Sequence, residues 1–377
     1  MRKRREHQSV WEKFAAVLRA ILFASVATAA TAVSRETARA DEWVALFYHI
    51  HTKYSDEELQ WMASVKLTVP VVVKRADEWA RTMGVKGAAT ITDHNTWNGL
   101  ADPGFKPFGV AQPIRGMEWA VELGEVTLLG DFDKDFEKSL KCGDSMAKAL
   151  KAFDYIHARN GVITACHPRS KVYWHTEKRL GVDGIEVWNG IGWKTWDIDA
   201  LAWWHRLLTE GEQITAMGAS DAHTFAHPIQ CPVNLVYAKS NQSKDVLAAV
   251  KAGRVMVLGG PALPRIYLTA DANRDGHYDD AMAGDTLSQK PSEPVRFEVK
   301  IEKANGNHRL MLFDRNGEFY NQPVGCGDGW NGNVYRFERS FSADVPNFVR
   351  AEVRKSDGKE METISNPIYW KVEKKAK

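Results

Sequence analysis

His49-Ile50-His51 sets two imidazoles two residues apart. On an extended strand, positions i and i+2 face the same way, so both rings can reach one cation. Imidazole nitrogen suits zinc, iron and manganese. Ser55-Asp56 follows on the next loop, and Thr92-Asp93-His94-Asn95-Thr96 again sets an acid beside an imidazole. Gly116-Met117-Glu118 adds a carboxylate, a group able to bridge two cations. His167-Pro168 places an imidazole after an apolar run, where proline stops ladder pairing. Ser220-Asp221-Ala222-His223 supplies a carboxylate and an imidazole two residues apart. Each group alone reads equally well as a polar loop.

The elements that carry these residues make the pattern informative. Trp43–Tyr48, Gly87–Thr92, Gln112–Met117, Val162–Cys166, Asp183–Val187 and Gln213–Ala219 read as strands. They run into His49, Asp93, Glu118, His167 and Asp221, and the fifth carries Glu186 near its end. Helices are expected at Val71–Met83 with Gly84 as the stop, from an Asp144 N-cap to Asn160 with Gly161 beyond, and at Trp196–Thr209. Strands alternating with helices imply a parallel sheet. In a closed parallel barrel all strand C-termini gather at one face, where distant residues converge. Polar loops alone would supply Ser, Asn, Lys and Gly as readily as His, Asp and Glu, so the bias toward ligand types is what they leave unexplained.

After about Gly260 the period changes. Val295, Phe297, Val299 and Ile301 alternate, Tyr335, Phe337 and Phe341 do so less regularly, and Phe348–Val353 and Ile368–Val372 are similar. The fold expected is α/β: a distorted barrel over 41–260, then a small antiparallel β-sandwich over 261–377. In the second segment, Asp271, Asn273, Asp275 and Gly276 match the start of an EF-hand-type calcium loop. Position 12 is Met282 instead of Glu, so the alternatives are a looser calcium loop completed by Asp279, Asp280 or Asp285, or a polar turn.

A chain of 377 residues suits about two domains. The formal net charge of +2, without a long single-sign block, argues against a nucleic-acid partner. Arg2, Lys3, Arg4 and Arg5 open a targeting segment, 1–40. Ala20–Val33 is apolar but too short to span a bilayer, and Ala38-Arg39-Ala40 is a small-x-small cleavage signal. Cleavage before Asp41 is expected, with export to the periplasm or the extracellular space and no membrane span afterwards. Cys142, Cys166, Cys231 and Cys326 lack zinc-knuckle spacing and read either as disulfides or as free thiols. Among the 14 Trp, Trp203 and Trp204 fall in a helix and read as core, while Trp188 or Trp193 is a candidate pocket wall.

Taken in order, HxHT and SD (His49 to Asp56), TDHNT (Thr92 to Thr96), GxE at Glu118, HP at His167, EVWNG (Glu186 to Gly190) and SDAH (Ser220 to His223) resemble the PHP superfamily. That superfamily takes its name from DNA polymerase and histidinol phosphatase members. Within it the chain is similar to the carbaryl-hydrolase-like branch. The resemblance covers about Asp41 to Gly260, and Ser365-Asn366-Pro367-Ile368-Tyr369 looks like part of the module appended in that branch.

The resemblance implies a distorted seven-stranded (β/α) barrel holding two or three divalent metals, Zn, Mn or Fe. His49, His51, Glu118 and Asp221 would surround the first. Glu118 would bridge to a second, with His167 as a further ligand, and Asp56, His94 and His223 would serve a third. Asp93 would orient a ligand or the nucleophile. One departure stands out: Glu125 lies where the branch has an imidazole. Either a carboxylate replaces it and favours a harder metal, or the site has lost a metal and Glu125 is solvated.

The activity implied is metal-dependent hydrolysis, in which a metal-bound hydroxide cleaves a phosphoester. Arg169 reads either as a phosphate clamp or as a solvated loop residue. The same site would serve carbamate or carboxylic-ester hydrolysis, which an aromatic pocket would suit. From another class, a non-catalytic exported ligand-binding protein would be expected to have lost metal ligands. The partner expected is a small-molecule ester.

Overall fold

The structure is a computed structural model that describes residues 41–55, 66–168, 174, 179–289, 294–325, 330–331, 333–340 and 345–372. The predicted targeting segment, Asp56, Arg169 and Cys326 lie outside the described residues.

The first strand, β1 (Glu42–Phe47), is buried along Val44–Phe47, as befits a strand covered on both faces. α1 (Val69–Met83) begins with Pro70, whose missing N–H costs nothing in a first turn. It buries Val69, Val72, Val73, Ala76, Ala80 and Met83, one stripe at helical spacing. Gly84 ends it at φ 71, the left-handed conformation predicted for that stop. β2 (Lys86–Ile91) returns parallel to β1, and β3 (Ala111–Val121) lies parallel to β2.

β4 (Gly124–Leu129) then folds back antiparallel on β3. This hairpin was not among the predicted elements, because Glu122-Leu123 carries no Asn-Gly-type turn signal. After α2 (Lys134–Ser139) and α3 (Met146–His157), β5 (Val162–Ala165) pairs antiparallel with β4. The α3 cap is Ser145 instead of the predicted Asp144; its side chain accepts from the Lys148 N–H, and the helix stops before Asn160. β6 (Gly184–Asn189) is parallel to β5, and α4 (Thr195–Glu210) leads to β7 (Thr215–Ala219), parallel to β6.

β8 (Val233–Ala238) lies antiparallel along the other side of β1. α5 (Ser243–Lys251) and β9 (Val255–Leu258) follow, β9 antiparallel to β8. A uniform seven-fold β/α repeat is therefore not what the chain builds: β4 runs against both neighbours, and strands outnumber helices. The curved sheet brings its last strand, β7, back beside β1 at one rim. There Tyr48 accepts from the Ser220 N–H (3.0 Å) and Ala222 from the His51 N–H (2.9 Å).

Deeper in, amide side chains replace the ladder. Asn234 bonds both the N–H (2.8 Å) and the C=O (2.7 Å) of Gly218. Asn366 bonds the N–H (2.8 Å) and C=O (3.0 Å) of Ala216, and the C=O of Val255. Both amides are fully buried, and removing either would strand peptide groups at about 1–3 kcal/mol each.

The remaining strands are β10 (Arg265–Asp271), β11 (Ala281–Met282), β12 (Thr286–Gln289), β13 (Val295–Glu302), β14 (His308–Asp314), β15 (Gly317–Pro323), β16 (Trp330–Asn331), β17 (Val334–Arg339), β18 (Asn347–Lys355), β19 (Met361–Ser365) and β20 (Ile368–Val372). One sheet orders them β11-β10-β13-β17-β16; β12, β20, β18 and β19 join the other, with β14 and β15 branching from β18. Phe297, Val299 and Ile301 of the first share a core with Leu310, Leu312, Val349 and Ala351 of the second. The pairing is not wholly antiparallel as expected, since β12 runs parallel to β20. β19 pairs with β9, so hydrogen bonding is continuous across the expected boundary near Gly260. The described residues from Glu42 onward form one compact unit.

A polar clasp joins α4 to β18. His205 Nδ1 accepts from Arg350, 3.3 Å from Nη2, and Arg350 is paired with Glu352 in the interior. Burial, together with the Arg350 charge, pulls the His205 imidazole down to about 4. The unfolded chain, with His near 6.5, therefore binds the extra proton between those values, so stability is full above about pH 6.5 and falls toward pH 4. The denaturant midpoint should drop from pH 7 to pH 4.5, and His205→Gln should flatten part of that drop. An unchanged slope in the variant would count against this assignment.

Candidate metal centre

The rim where the sheet closes holds the ligand-type residues. His49 follows β1 at φ 60, His167 follows β5 at φ 26, and Asp221 follows β7 at φ 50. Positive φ at a non-glycine residue costs of order 1–3 kcal/mol, and a fold tolerates it where neighbours over-determine the backbone. Here they do. The His49 N–H donates to Thr90 Oγ1 (2.9 Å) and the His49 carbonyl accepts from Ser220 Oγ (3.0 Å). The His167 N–H donates to Glu186 Oε2 (2.8 Å).

Glu118 is the hub. Its Oε2 lies 3.1 Å from His49 Nε2, 3.2 Å from His51 Nε2 and 3.0 Å from His94 Nδ1. Its Oε1 lies 3.0 Å from His167 Nε2. Asp221 Oδ1 stands 3.3 Å from His51 Nε2 and 3.7 Å from His49 Nε2. The His51 ring lies 4.3 Å from that of His94 and 4.1 Å from that of His223, and those two are 5.7 Å apart, so the three imidazoles form one cluster. Glu125 reaches in from β4, 3.6 Å from His167 Nε2 and 3.8 Å from His94 Nδ1.

These donors fall into overlapping sets close enough to share an ion: His49, His51 and Asp221; His49, Glu118 and His167; His94, Glu118 and Glu125; His51, His94 and His223. The structure thus brings together every described residue named above as a ligand. His49 Nε2, His51 Nε2 and Glu118 Oε2 are buried without a hydrogen-bond partner although they crowd one another. Buried polar atoms left unpaired are costly. Their convergence, and their mixture of imidazole nitrogen and carboxylate oxygen, fits divalent cations of the Zn, Mn or Fe kind.

The electrostatics agree. Burial alone would raise Glu118, but the surrounding imidazoles hold it well below the usual carboxylate range. Burial alone would lower His51, yet Asp221 and Glu118 push it up to about 9; His167, buried against Glu118, also reaches about 9. Without cations these rings keep protons at neutral pH, so cation uptake displaces protons and strengthens as pH rises. Burial and the Glu118 charge raise Glu125, a carboxyl that a nearby cation would help ionise.

Behind the donors lies a second layer. His49 Nδ1 is 2.6 Å from Glu186 Oε1, so it carries the proton and leaves Nε2 free to ligate. Glu186 also accepts from Asn189 Nδ2 (3.2 Å). His51 Nδ1 is 3.0 Å from Ser55 Oγ, which in turn donates to Asp93 Oδ1 (3.3 Å). Asp93 further accepts from the Thr52 N–H and hydroxyl, so it braces the loop that aims His51. Burial raises the Asp93 carboxyl despite these bonds.

Sequence reasoning quoted Glu186 and Ser55 within motifs without giving them these positions. An acid within the expected strand Asp183–Val187 was the available signal; in β6 it is the third of six buried residues. Trp188 is core, T-shaped against Trp193 at 5.2 Å, and Trp203 and Trp204 are buried in α4. Cys142, Cys166 and Cys231 are free thiols. Of the calcium-type residues, Asp271 is the last of β10, and Asn273, Asp275 and Asp279 lie on the loop between β10 and β11.

No family model and no curated protein matches the chain. Among solved structures it is similar to a two-domain protein from Bacteroides vulgatus, described as containing a "predicted PHP-like metal-dependent phosphoesterase". The identity is 14 %, the match covers 87 % of this chain and 94 % of that one, and the TM-score is 0.41. A PmoD soluble domain from Methylocystis matches 28 % of this chain and 90 % of its own at 11 % identity and TM-score 0.19. A chitin-binding domain from Burkholderia pseudomallei matches 35 % of this chain and 68 % of its own at 6 % identity and TM-score 0.18. Likeness of that order leaves function to be argued from the site.

Proposed function

We propose that the chain is an exported metal-dependent hydrolase of the PHP type that cleaves phosphoesters. The observation that carries this is Glu118, one buried carboxylate shared by four imidazoles, His49, His51, His94 and His167. Glu118 and these imidazoles would together hold more than one divalent cation. Divalent cations held there supply an acidified water and positive charge for the oxygens of an in-line displacement.

The chain's residues do the rest. Glu186 fixes the His49 tautomer, and Ser55 with Asp93 does the same for His51. Asn189 Nδ2 lies 3.4 Å from Asp221 Oδ2 and steadies that carboxylate. Glu125 supplies an oxygen ligand where the resembling branch has a nitrogen, which suits a hard cation such as Mn.

A second reading, carbamate or carboxylic-ester hydrolysis, is favoured by the rim. Ile191, two residues beyond Asn189, is 58 % exposed, and Phe225, two beyond His223, is 43 % exposed. An apolar acyl or aryl group would find cover there. Purified protein should be screened on aryl phosphate mono- and diesters, aryl carbamates and carboxylic esters with added Mn or Zn. Chelator-sensitive turnover of the phosphoesters is expected. Turnover confined to carbamates or carboxylic esters would favour the second reading, and no turnover of any class would overturn both.

A further inference from the structure

The loop from Asp271 to Asp280 takes no part in the metal cup; it joins β10 to β11 in the β-sandwich. We propose that this loop is a calcium-binding site. Its residues occupy the first positions of a twelve-residue calcium loop: Asp271 at 1, Asn273 at 3, Asp275 at 5, Gly276 at 6, the His277 carbonyl at 7 and Asp279 at 9.

The observation that points to a ligand is Asp271. It is fully buried at 0 % exposure, and its Oδ2 accepts from the Gly276 N–H (3.1 Å), which holds the carboxylate against the loop. Its Oδ1 is buried with no hydrogen-bond partner. A buried ionised oxygen left in that state is expensive unless a cation meets it. Arg296 offers incomplete compensation: its Nη1 stands 3.7 Å from Oδ2, and its Nε is committed to Glu338. Arg274, the loop's own cation, is turned outward onto the Pro294 carbonyl and Glu338.

The other oxygens remain available. Asp280 spends its carboxylate on the Ala272 and Asn273 N–H groups and on Asn273 Nδ2, so it caps the loop and does not ligate. That bond leaves the amide oxygen of Asn273 facing the loop, where it accepts from the Asp275 N–H. Asp275 accepts from the His277 N–H through Oδ1 alone. Gly276, at φ 92, takes the turn that a Cβ would strain.

All donors are oxygen, which selects a hard cation, and such a flexible, mainly anionic set suits calcium better than the rigid octahedron of magnesium. Met282 replaces the bidentate Glu at position 12 and is paired into β11, so water completes the shell. Affinity should therefore fall in the weak range of extracellular modules, about 10⁻⁴–10⁻³ M.

The test uses the full chain with its metal cup saturated by zinc, compared with Asp271→Asn and the exposed substitution Asp275→Asn. Equilibrium dialysis against radioactive calcium, and melting temperature with and without 10 mM calcium, are read on all three. One additional calcium per chain is expected for the wild type, with a melting rise of about 3 °C. Both should disappear in Asp275→Asn, which keeps the wild-type fold even if Asp271→Asn does not. No calcium bound at 10 mM, equal binding by Asp275→Asn, or an equal rise with 10 mM magnesium would each overturn the assignment.

Discussion

Glu118→Gln should lower kcat/KM by about 10³-fold or more, with the fold retained. The reasoning is geometric and then electrostatic. Glutamine keeps the shape but carries no charge, and one of its two ends is a donor. In the wild type one carboxylate oxygen faces His49, His51 and His94 and the other faces His167. The substitution therefore removes a charge shared by two of the overlapping ligand sets, His49–Glu118–His167 and His94–Glu118–Glu125, and turns an N–H₂ toward imidazoles that are positioned to donate lone pairs to cations. Loss of about 4 kcal/mol of transition-state stabilisation, a modest share of what bound cations supply, is about 10³ in rate. Steady-state kinetics on the best substrate, beside a melting curve, would check it. A loss under tenfold in a folded variant would mean that Glu118 does not bridge the reactive centre.

Glu186→Gln should act differently, weakening metal affinity about 10–100-fold while kcat recovers at saturating metal. Glu186 does not belong to the mouth of the cup. It touches His49 Nδ1 at 2.6 Å and the His167 N–H at 2.8 Å, and so sets the tautomer of one ligand and the strained backbone of another. Glutamine can still accept the His49 proton through its amide oxygen, but it loses the charge that makes the imidazole a stronger donor. Titrating activity against Mn or Zn in variant and wild type separates the cases. A shifted metal midpoint with a common plateau is expected. An unchanged midpoint with a lowered plateau would place Glu186 in the chemistry itself.

Much of the site is legible in the amino-acid sequence. Local features were legible: apolar runs ending in His, Asp or Glu marked the parallel strands. His49 and His51 do share the rim, but not by the strand alternation expected, since β1 ends at Phe47 and His49 sits at φ 60. Features set by distant partners were not. Asn234 and Asn366 stand in for a ladder along β7, and nothing near them in the chain marks that role. β4 escaped because its turn lacks a strong signal and because β3 continues well past Glu118. Glu186 was visible as an acid in a strand, but its burial and its task depend on His49, far away in the chain. Glu125 drew attention because it departs from a pattern, and its approach to His94 and His167 depends on the unpredicted hairpin.

The central claim is that the rim between β1 and β7 holds divalent cations. It is tested most directly by quantifying metals per chain in protein purified without chelators, before and after dialysis against a chelator. The account predicts at least two tightly held transition-metal ions per chain, removed together with activity and restored together on adding Mn or Zn. Protein that carries no stoichiometric transition metal, takes none up, and turns over substrate equally well in chelator would contradict it.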